Sequence, residues 1–177
     1  MTTQQDIIRA AAVLYTAKTE EASVLASFAR ELMAQGHKVG GVVQEFVYDD
    51  QGLNIGIDTI AIDTGERIAI NRPTQSDKIN HACSLDHAAL TESTGALRRA
   101  IEGRYELMVV EKFGEQEQKG GGMADEILTA MAEGIPVLIL VPALALEEWN
   151  HFSGGLSDLL PCSPEAVRRW WGFKEIP

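Results

Sequence analysis

Apolar residues along this chain fall into short unbroken runs, and the segments between the runs have the periodicity of helices. The clearest run is Leu107–Val110, which has four apolar residues and no polar alternation. Such runs are typical of strands that are covered on both faces, as in a parallel sheet. Comparable runs predict three more strands at residues 11–15, 38–43 and 136–141.

Helices are predicted between these strands. In residues 20–35 the apolar side chains recur every three or four positions, with Thr19 as a suitable N-cap and Gly36 as a suitable stop. A strand, a helix and a second strand in this order form a crossover between parallel strands. The other predicted helices span residues 86–102, 123–133 and 164–171.

The middle of the chain has a different pattern. Short strands are predicted at residues 54–58, 59–62 and 67–70 with a turn at residues 63–66, which together indicate a β-hairpin insertion. The sequence therefore predicts an α/β fold with three layers, α/β/α, around a mainly parallel sheet. A chain of 177 residues that is 45% apolar and has no Pro/Gly/Ser-rich linker is expected to form one domain over residues 1–177.

Composition argues against two classes of partner. No stretch approaches the ~20 apolar residues of a membrane helix, and the first residues lack the pattern of a signal peptide. We therefore expect a cytoplasmic protein that does not associate with membranes. A net charge of −11 repels phosphate backbones and argues against binding to nucleic acid.

Cysteine and histidine positions do not predict a metal site. Cys83 and Cys162 are far apart and have no CxxC spacing, so we expect two free thiols in a reducing compartment. The spacing of His81, Cys83 and His87 is not a usual zinc arrangement, and Asp86 among them is better explained as the N-cap of the next helix.

The end of the central predicted strand is the main candidate for a site. Glu111 and Lys112 follow that strand directly, at the edge where open α/β sheets bind ligands. Three glycines, Gly120, Gly121 and Gly122, come soon afterwards and just before a predicted helix. Their backbone amides are suited to receive an oxyanion, and the alternative is a flexible hairpin or lid that binds nothing.

Several short motifs occur in an order that resembles one bacterial family. They are Gly40-Gly41-Val42-Val43-Gln44, Asp63-Thr64-Gly65-Glu66, Cys83-Ser84-Leu85-Asp86, Glu111-Lys112-Phe113-Gly114-Glu115-Gln116-Glu117 with the glycines at 120–122, Gly134-Ile135-Pro136-Val137-Leu138 and Trp149-Asn150-His151-Phe152-Ser153-Gly154-Gly155. The combination is similar to that of the bacterial domain-of-unknown-function family 2478. Members of that family are commonly encoded near molybdate-transport or molybdenum-enzyme genes and have no established activity. The resemblance therefore implies a context in molybdenum metabolism.

A more distant resemblance is to P-loop nucleoside-triphosphatases of the thermophile nucleotide-phosphatase type and to the nucleotide-binding protein of molybdopterin-guanine-dinucleotide synthesis. With Gly114 as the anchor, this resemblance places Glu111 where those enzymes have a magnesium-linked acid, and Glu117 also matches. Lys112 stands where they have the catalytic glutamate. A lysine ammonium cannot act as a general base unless it loses its proton, and it would repel the metal, which argues against hydrolysis by the usual route.

The loop after the first strand departs from a phosphate-binding loop. Lys18 and Thr19 imitate the end of that motif, but no glycine precedes them and Ala17 occupies the turn. Either these residues contribute to a phosphate site, or the segment is an ordinary strand–helix turn that Thr19 caps. Near the end of the chain, Trp170 and Trp171 are predicted to form a packing or subunit-contact patch.

The sequence thus predicts a regulatory protein that binds a nucleotide or an oxyanion on a degenerate P-loop-like scaffold. The alternative is an enzyme, a divergent nucleoside triphosphatase or phosphotransferase. The implied cofactor is a nucleotide with Mg²⁺, or molybdate, and the expected partners are a small anionic ligand and further copies of the chain. The candidate ligand-binding residues are Glu111, Lys112, Gly114, Glu117, Gly120, Gly121, Gly122, Asp86, Lys18 and Thr19.

Overall fold

Seven strands and six α-helices lie within residues 8–18, 24–74 and 86–172, the residues that the computed structural model describes. The strands are β1 (Ala10–Tyr15), β2 (Val39–Tyr48), β3 (Asn54–Ala61), β4 (Arg67–Asn71), β5 (Leu107–Val110), β6 (Val137–Pro142) and β7 (Ser157–Pro161). The helices are α1 (Val24–Ala34), α2 (His87–Glu102), α3 (Glu115–Gln118), α4 (Ala124–Ala132), α5 (Leu146–Ser153) and α6 (Pro164–Trp171).

All seven strands belong to one open sheet with the order β4-β3-β2-β5-β6-β1-β7. The five strands from β2 to β7 in that order are parallel, whereas β3 runs antiparallel to both β2 and β4. All four residues of β5, near the centre of the sheet, are buried. The predicted mainly parallel sheet with a β-hairpin insertion is therefore confirmed, and its open layout is consistent with a P-loop-like scaffold.

Alternate strand residues divide the core between the two faces of the sheet, because successive side chains of a strand point in opposite directions. On β1, Ala10 and Ala12 belong to one core cluster while Ala11 and Val13 belong to the other. Helices α2, α4 and α5 pack on the first face, and helices α1 and α6 pack on the second. This arrangement confirms the three predicted layers.

Element boundaries differ from the predictions in a few places. The two strands predicted at residues 54–58 and 59–62 form the single strand β3, and β2 continues beyond the predicted residue 43 as far as Tyr48. The edge strand β7 was not predicted because its pattern of exposed and half-buried residues gives no apolar run. Thr19, the predicted N-cap of the first helix, lies outside the described residues.

Two expectations about composition can be compared with the described ranges. No helix within them has both the length and the apolar content that a membrane crossing needs. The same ranges contain no group of three or more His, Cys, Asp or Glu side chains that could hold a metal ion. His81 and Cys83, which were considered as metal ligands from the sequence, lie outside these ranges.

Candidate ligand-binding cleft

The backbone that follows β5 forms hydrogen bonds to both strands beside it, β2 and β6. The Glu111 amide donates to the Val42 carbonyl of β2 (3.0 Å), and the Phe113 amide donates to the Leu140 carbonyl of β6 (2.9 Å). The peptide bond between Glu111 and Lys112 is cis. These bonds fix the backbone of the two charged residues at the carboxyl end of the sheet.

A cleft of about 670 Å³ opens beside these residues, between α1 and the sheet. Most of its walls are apolar: α1 contributes Ala29 and Met33, and the outer part of β2 contributes Phe46 and Tyr48. Its charged and hydrogen-bonding groups are fewer. They include Tyr15, Arg30, Gln44, Glu45, Glu111 and Lys112.

Glu111 is half-buried on the side of β5 that faces β2. Its Oε2 accepts a hydrogen bond from the Gln44 backbone amide at 3.0 Å. Burial raises the pKa of the Glu111 carboxyl, and the bond from Gln44 and the nearby Lys112 charge oppose that shift only in part. The carboxyl group therefore lies in surroundings that penalise its charged form.

Lys112 is directed the other way, towards β1. Its Nζ lies 5.7 Å from the centroid of the Tyr15 ring, which is within the range of a cation–π contact. Tyr15 is the last residue of β1 and also lines the cleft. The structure thus gives the cleft an acidic group on its β2 side and a cationic group near the end of β1.

The side chain of Glu117 is buried and does not line the cleft. Its two carboxyl oxygens accept hydrogen bonds from the backbone amides of Gly114 (3.0 Å) and Met123 (3.2 Å). Burial raises the pKa of Glu117, and these backbone bonds act against the shift. The side chain therefore ties the segment that leaves β5 to the start of α4.

The glycines at 120–122 close a turn that bonds to itself. The Gly120 amide donates to the Glu117 carbonyl (3.0 Å), and the Gly121 amide donates to the Gln116 carbonyl (2.8 Å). A Cβ at Gly122 would lie 2.3 Å from Glu117 Oε1, so this glycine permits the close approach of the buried carboxyl. Two of the three amides that the sequence offered to an oxyanion are therefore engaged within the turn.

Two other sequence-predicted site residues, Asp86 and Lys18, do not line the cleft. Asp86 caps α2 by accepting from the Ala89 amide at 3.0 Å, and its own amide donates to the Ile70 carbonyl of β4. In the sheet order, β4 is three strands away from β5. Lys18 is exposed in the turn after β1, and Thr19 lies outside the described residues.

Sequence reasoning did not identify the residues that form the walls of the cleft. The sequence pattern places Tyr15 only at the end of a predicted strand, and Met33 only on the apolar face of a predicted helix. Phe46 and Tyr48 lie beyond the predicted end of the second strand, yet they are 40% and 58% exposed. Large apolar side chains on an extended, exposed strand end are a signal of a binding surface, but that signal needs the strand boundary to be known.

The fold and the cleft together define an α/β protein with an open sheet, a P-loop-like layout and a ligand-sized cavity at the strand ends. The chain belongs to the family described as "Protein of unknown function (DUF2478)", which matches residues 10–170. The resemblance stated from the motifs is therefore confirmed.

One curated relative shows how this chain relates to a larger protein. The chain is 38% identical over 163 residues to the "Molybdenum import ATP-binding protein ModC 2" of Bradyrhizobium diazoefficiens. The alignment covers 92% of this chain and only 18% of that protein, so the chain spans less than a fifth of its relative's length. No solved structure gives a significant match.

Proposed function

We propose that this protein is a binding or regulatory domain that takes a small anionic ligand of nucleotide size, on a degenerate P-loop-like scaffold. The observation that carries the proposal is the cleft at the carboxyl ends of β1, β2 and β5, where Lys112 and Glu111 flank mostly apolar walls. Ligand sites in proteins are commonly apolar clefts with a few placed polar groups, and in open α/β sheets they lie at this edge.

Size and lining favour a nucleotide over a free oxyanion. Ligand cavities of roughly 300–1,000 Å³ hold molecules of drug size, and a cleft of about 670 Å³ falls inside that range. A tetrahedral oxyanion would fill a small part of it and would need several converging donors. The amides of Gly120 and Gly121, the donors that the sequence suggested, are already bonded within their turn.

The relative adds a biological context to the proposal. Its printed name describes ATP binding and molybdenum import, but the matched segment is only 18% of that protein. We therefore propose for this chain a regulatory role linked to molybdenum metabolism. A cytoplasmic location and association with further copies of the chain are parts of the same proposal.

A divergent nucleoside triphosphatase or phosphotransferase is the second candidate. It is favoured by Glu111, which follows β5 where the distant resemblance expects a magnesium-linked acid. Lys112 opposes it, because this residue occupies the position of a general base and cannot act as one while it is protonated. Binding without turnover is the function that the residues support better.

The proposal is tested by measuring binding of nucleotides, phosphate and molybdate, with and without Mg²⁺, by thermal shift and titration calorimetry. A ligand that binds the folded state raises its apparent stability. The variant Lys112→Glu should weaken binding of an anionic ligand by about 1–2 kcal/mol, because it replaces an attractive charge with a repulsive one. The matched control is Lys119→Glu, which makes the same charge change in the glycine turn.

The two variants distinguish two locations for the anion. Lys119 is exposed and pairs with Glu115 (2.8 Å), away from the cleft lining. Weaker binding in Lys112→Glu alone supports the cleft, whereas weaker binding in Lys119→Glu alone assigns the anion to the glycine turn. Equal affinity in the parent protein and in both variants would contradict either location.

A further inference from the structure

One oxygen of the Glu111 carboxyl has no hydrogen-bond partner among the residues that the structure describes. Oε2 accepts from the Gln44 amide, whereas Oε1 accepts no hydrogen bond from any residue within the described ranges. In the same ranges Glu111 forms no ion pair, since the neighbouring Lys112 points its ammonium at the Tyr15 ring. The carboxyl lines the cleft, so a ligand there can reach this open oxygen.

The surroundings of that oxygen are largely apolar, so a hydrogen-bond donor on the ligand should contribute strongly to binding. Val43, Ile60 and Leu140 line the same cleft, and burial already raises the pKa of Glu111. A carboxylate in such a place accepts hydrogen bonds and repels other acceptors. A ligand group that brings N–H donors recovers the interaction that the carboxylate loses on leaving water.

We infer that Glu111 reads the base of the bound nucleotide and selects a guanine-type ring, which presents neighbouring N–H donors on one edge. The inference rests on the proposed function and adds the class of ligand to it. Glu111 is then the residue that determines specificity, while Lys112 contributes attraction for the phosphate.

The choice of ring follows from the donors and acceptors at the pairing edge of each base. Guanine presents its ring N–H beside an amino group, so both neighbouring groups donate towards a carboxylate. Adenine and cytosine place an amino donor beside a ring nitrogen that accepts, and uracil places acceptors on both sides of its ring N–H. An acceptor facing the carboxylate is repelled, and a site built on hydrogen bonds discriminates strongly against a ligand that cannot supply them.

The positions of Glu111 and Lys112 also suit an elongated ligand. Glu111 is bonded to β2, and Lys112 lies over Tyr15 of β1. Glu111 and Lys112 are consecutive residues whose side chains diverge, one towards β2 and the other towards β1. A nucleoside phosphate can therefore place its base towards β2 and its phosphate towards β1.

The test compares the binding of GMP, AMP and UMP to the full chain by titration calorimetry, with the variant Glu111→Gln. We expect GMP to bind at least about tenfold more tightly than AMP or UMP. In Glu111→Gln the amide oxygen keeps the bond from Gln44, which leaves an NH₂ donor in the cleft. The preference for GMP should then fall to within about threefold or reverse, while the affinity for AMP does not decrease.

The control is Glu133→Gln, which neutralises an exposed glutamate after α4 and outside the cleft lining. It should leave the preference for GMP unchanged, and melting curves without ligand check that both variants fold. Equal binding of GMP and AMP by the parent protein, or a preference that survives in Glu111→Gln, overturns the inference and leaves the proposed function intact. Failure of all three nucleotides to bind overturns the proposed function as well.

Discussion

Single residues around the glycine turn fix the backbone that leaves β5. Glu117 is 3% exposed and holds the amides of Gly114 and Met123 together. Gly122 has φ +57° and packs against the same carboxyl, whereas Gly120 has φ +84° and open space around it. The two glycines therefore share a left-handed backbone but differ in what a side chain would meet.

This difference gives a matched pair of substitutions. Gly120→Ala should lower the free energy of unfolding by about 1 kcal/mol, the cost of a left-handed alanine. Gly122→Ala should lower it by about 2–4 kcal/mol, because the new Cβ also displaces the buried Glu117 carboxyl from its amide donors. Urea unfolding of both variants measures the difference. Equal losses would mean that the Glu117 contact does not constrain Gly122.

Asp63 is a second residue with a predictable effect, in the turn between β3 and β4. Its carboxylate accepts from Arg99 Nε and Nη2, both at 2.9 Å, and from the Tyr105 hydroxyl at 3.3 Å. The hydrogen bonds from Arg99 are the main cause that lowers the pKa of Asp63, and burial opposes them. The turn is thereby anchored to α2 and to the start of β5.

Asp63→Asn should destabilise the protein at neutral pH and have less effect in acid. Arg99 is partly exposed, so we expect a loss of about 1–2 kcal/mol at pH 7. The folded-state pKa is lowered, so this contribution is full above the unfolded value of about 3.9 and is lost as the pH falls through the folded value. Unfolding at pH 7 and pH 3 measures it, with the exposed Asp50→Asn as control. A loss that is independent of pH would contradict the ion-pair explanation.

At the scale of elements, α6 is held by contacts with Arg9, the residue directly before β1. The Arg9 guanidinium lies 4.7 Å and 5.1 Å from the Trp170 and Trp171 ring centroids and also donates to the Trp170 carbonyl. Trp170 Nε1 donates to Asp158 of β7 at 3.0 Å. The two tryptophans thus pack within the fold, as one of the two predicted alternatives required, and a subunit contact through them stays a prediction.

Removal of the Arg9 side chain should loosen α6. Arg9→Ala loses two cation–π contacts and a hydrogen bond, for which we expect a decrease of about 1–2 kcal/mol in the free energy of unfolding. Arg9→Lys keeps the charge but not the planar group, so it should recover only part of that loss. Tryptophan fluorescence during urea unfolding reports on the same residues. Full stability in Arg9→Ala would show that other contacts hold the helix.

At the scale of the whole molecule, the scaffold and the groups it carries suggest different activities. The open sheet has the layout of a P-loop-like protein, yet no glycine precedes Lys18 in the loop after β1. Lys112 occupies the position where the distant resemblance expects a general base. A scaffold of this kind can keep a ligand cleft while it lacks the groups that activate water.

We therefore expect no Mg²⁺-dependent hydrolysis of ATP or GTP above the background of the assay. The variant Lys112→Ala should leave that background unchanged, because no catalysed rate depends on it. Phosphate release by purified protein, followed with and without Mg²⁺, is the measurement. Robust turnover that disappears in Glu111→Ala would instead support the second candidate, a divergent triphosphatase or phosphotransferase.

The sequence by itself determined four parallel strands of the sheet, the hairpin insertion and the location of the charged strand end. These features depend on neighbouring residues: an unbroken apolar run such as Leu107–Val110 needs cover on both faces, and the charged residues after it must reach the edge of the sheet. The N-cap role of Asp86 is equally local, and it is confirmed by the bond from the Ala89 amide.

Only the tertiary structure decided how the groups at that strand end are used. Glu111 meets Gln44, 67 positions away in sequence, and Lys112 meets the Tyr15 ring across the sheet. Glu117 meets Met123, and the neighbouring glycine amides bond within their turn. Apolar periodicity specifies which face of an element is buried, but it does not specify which partner a polar group finds, because that partner is set by strand order and register.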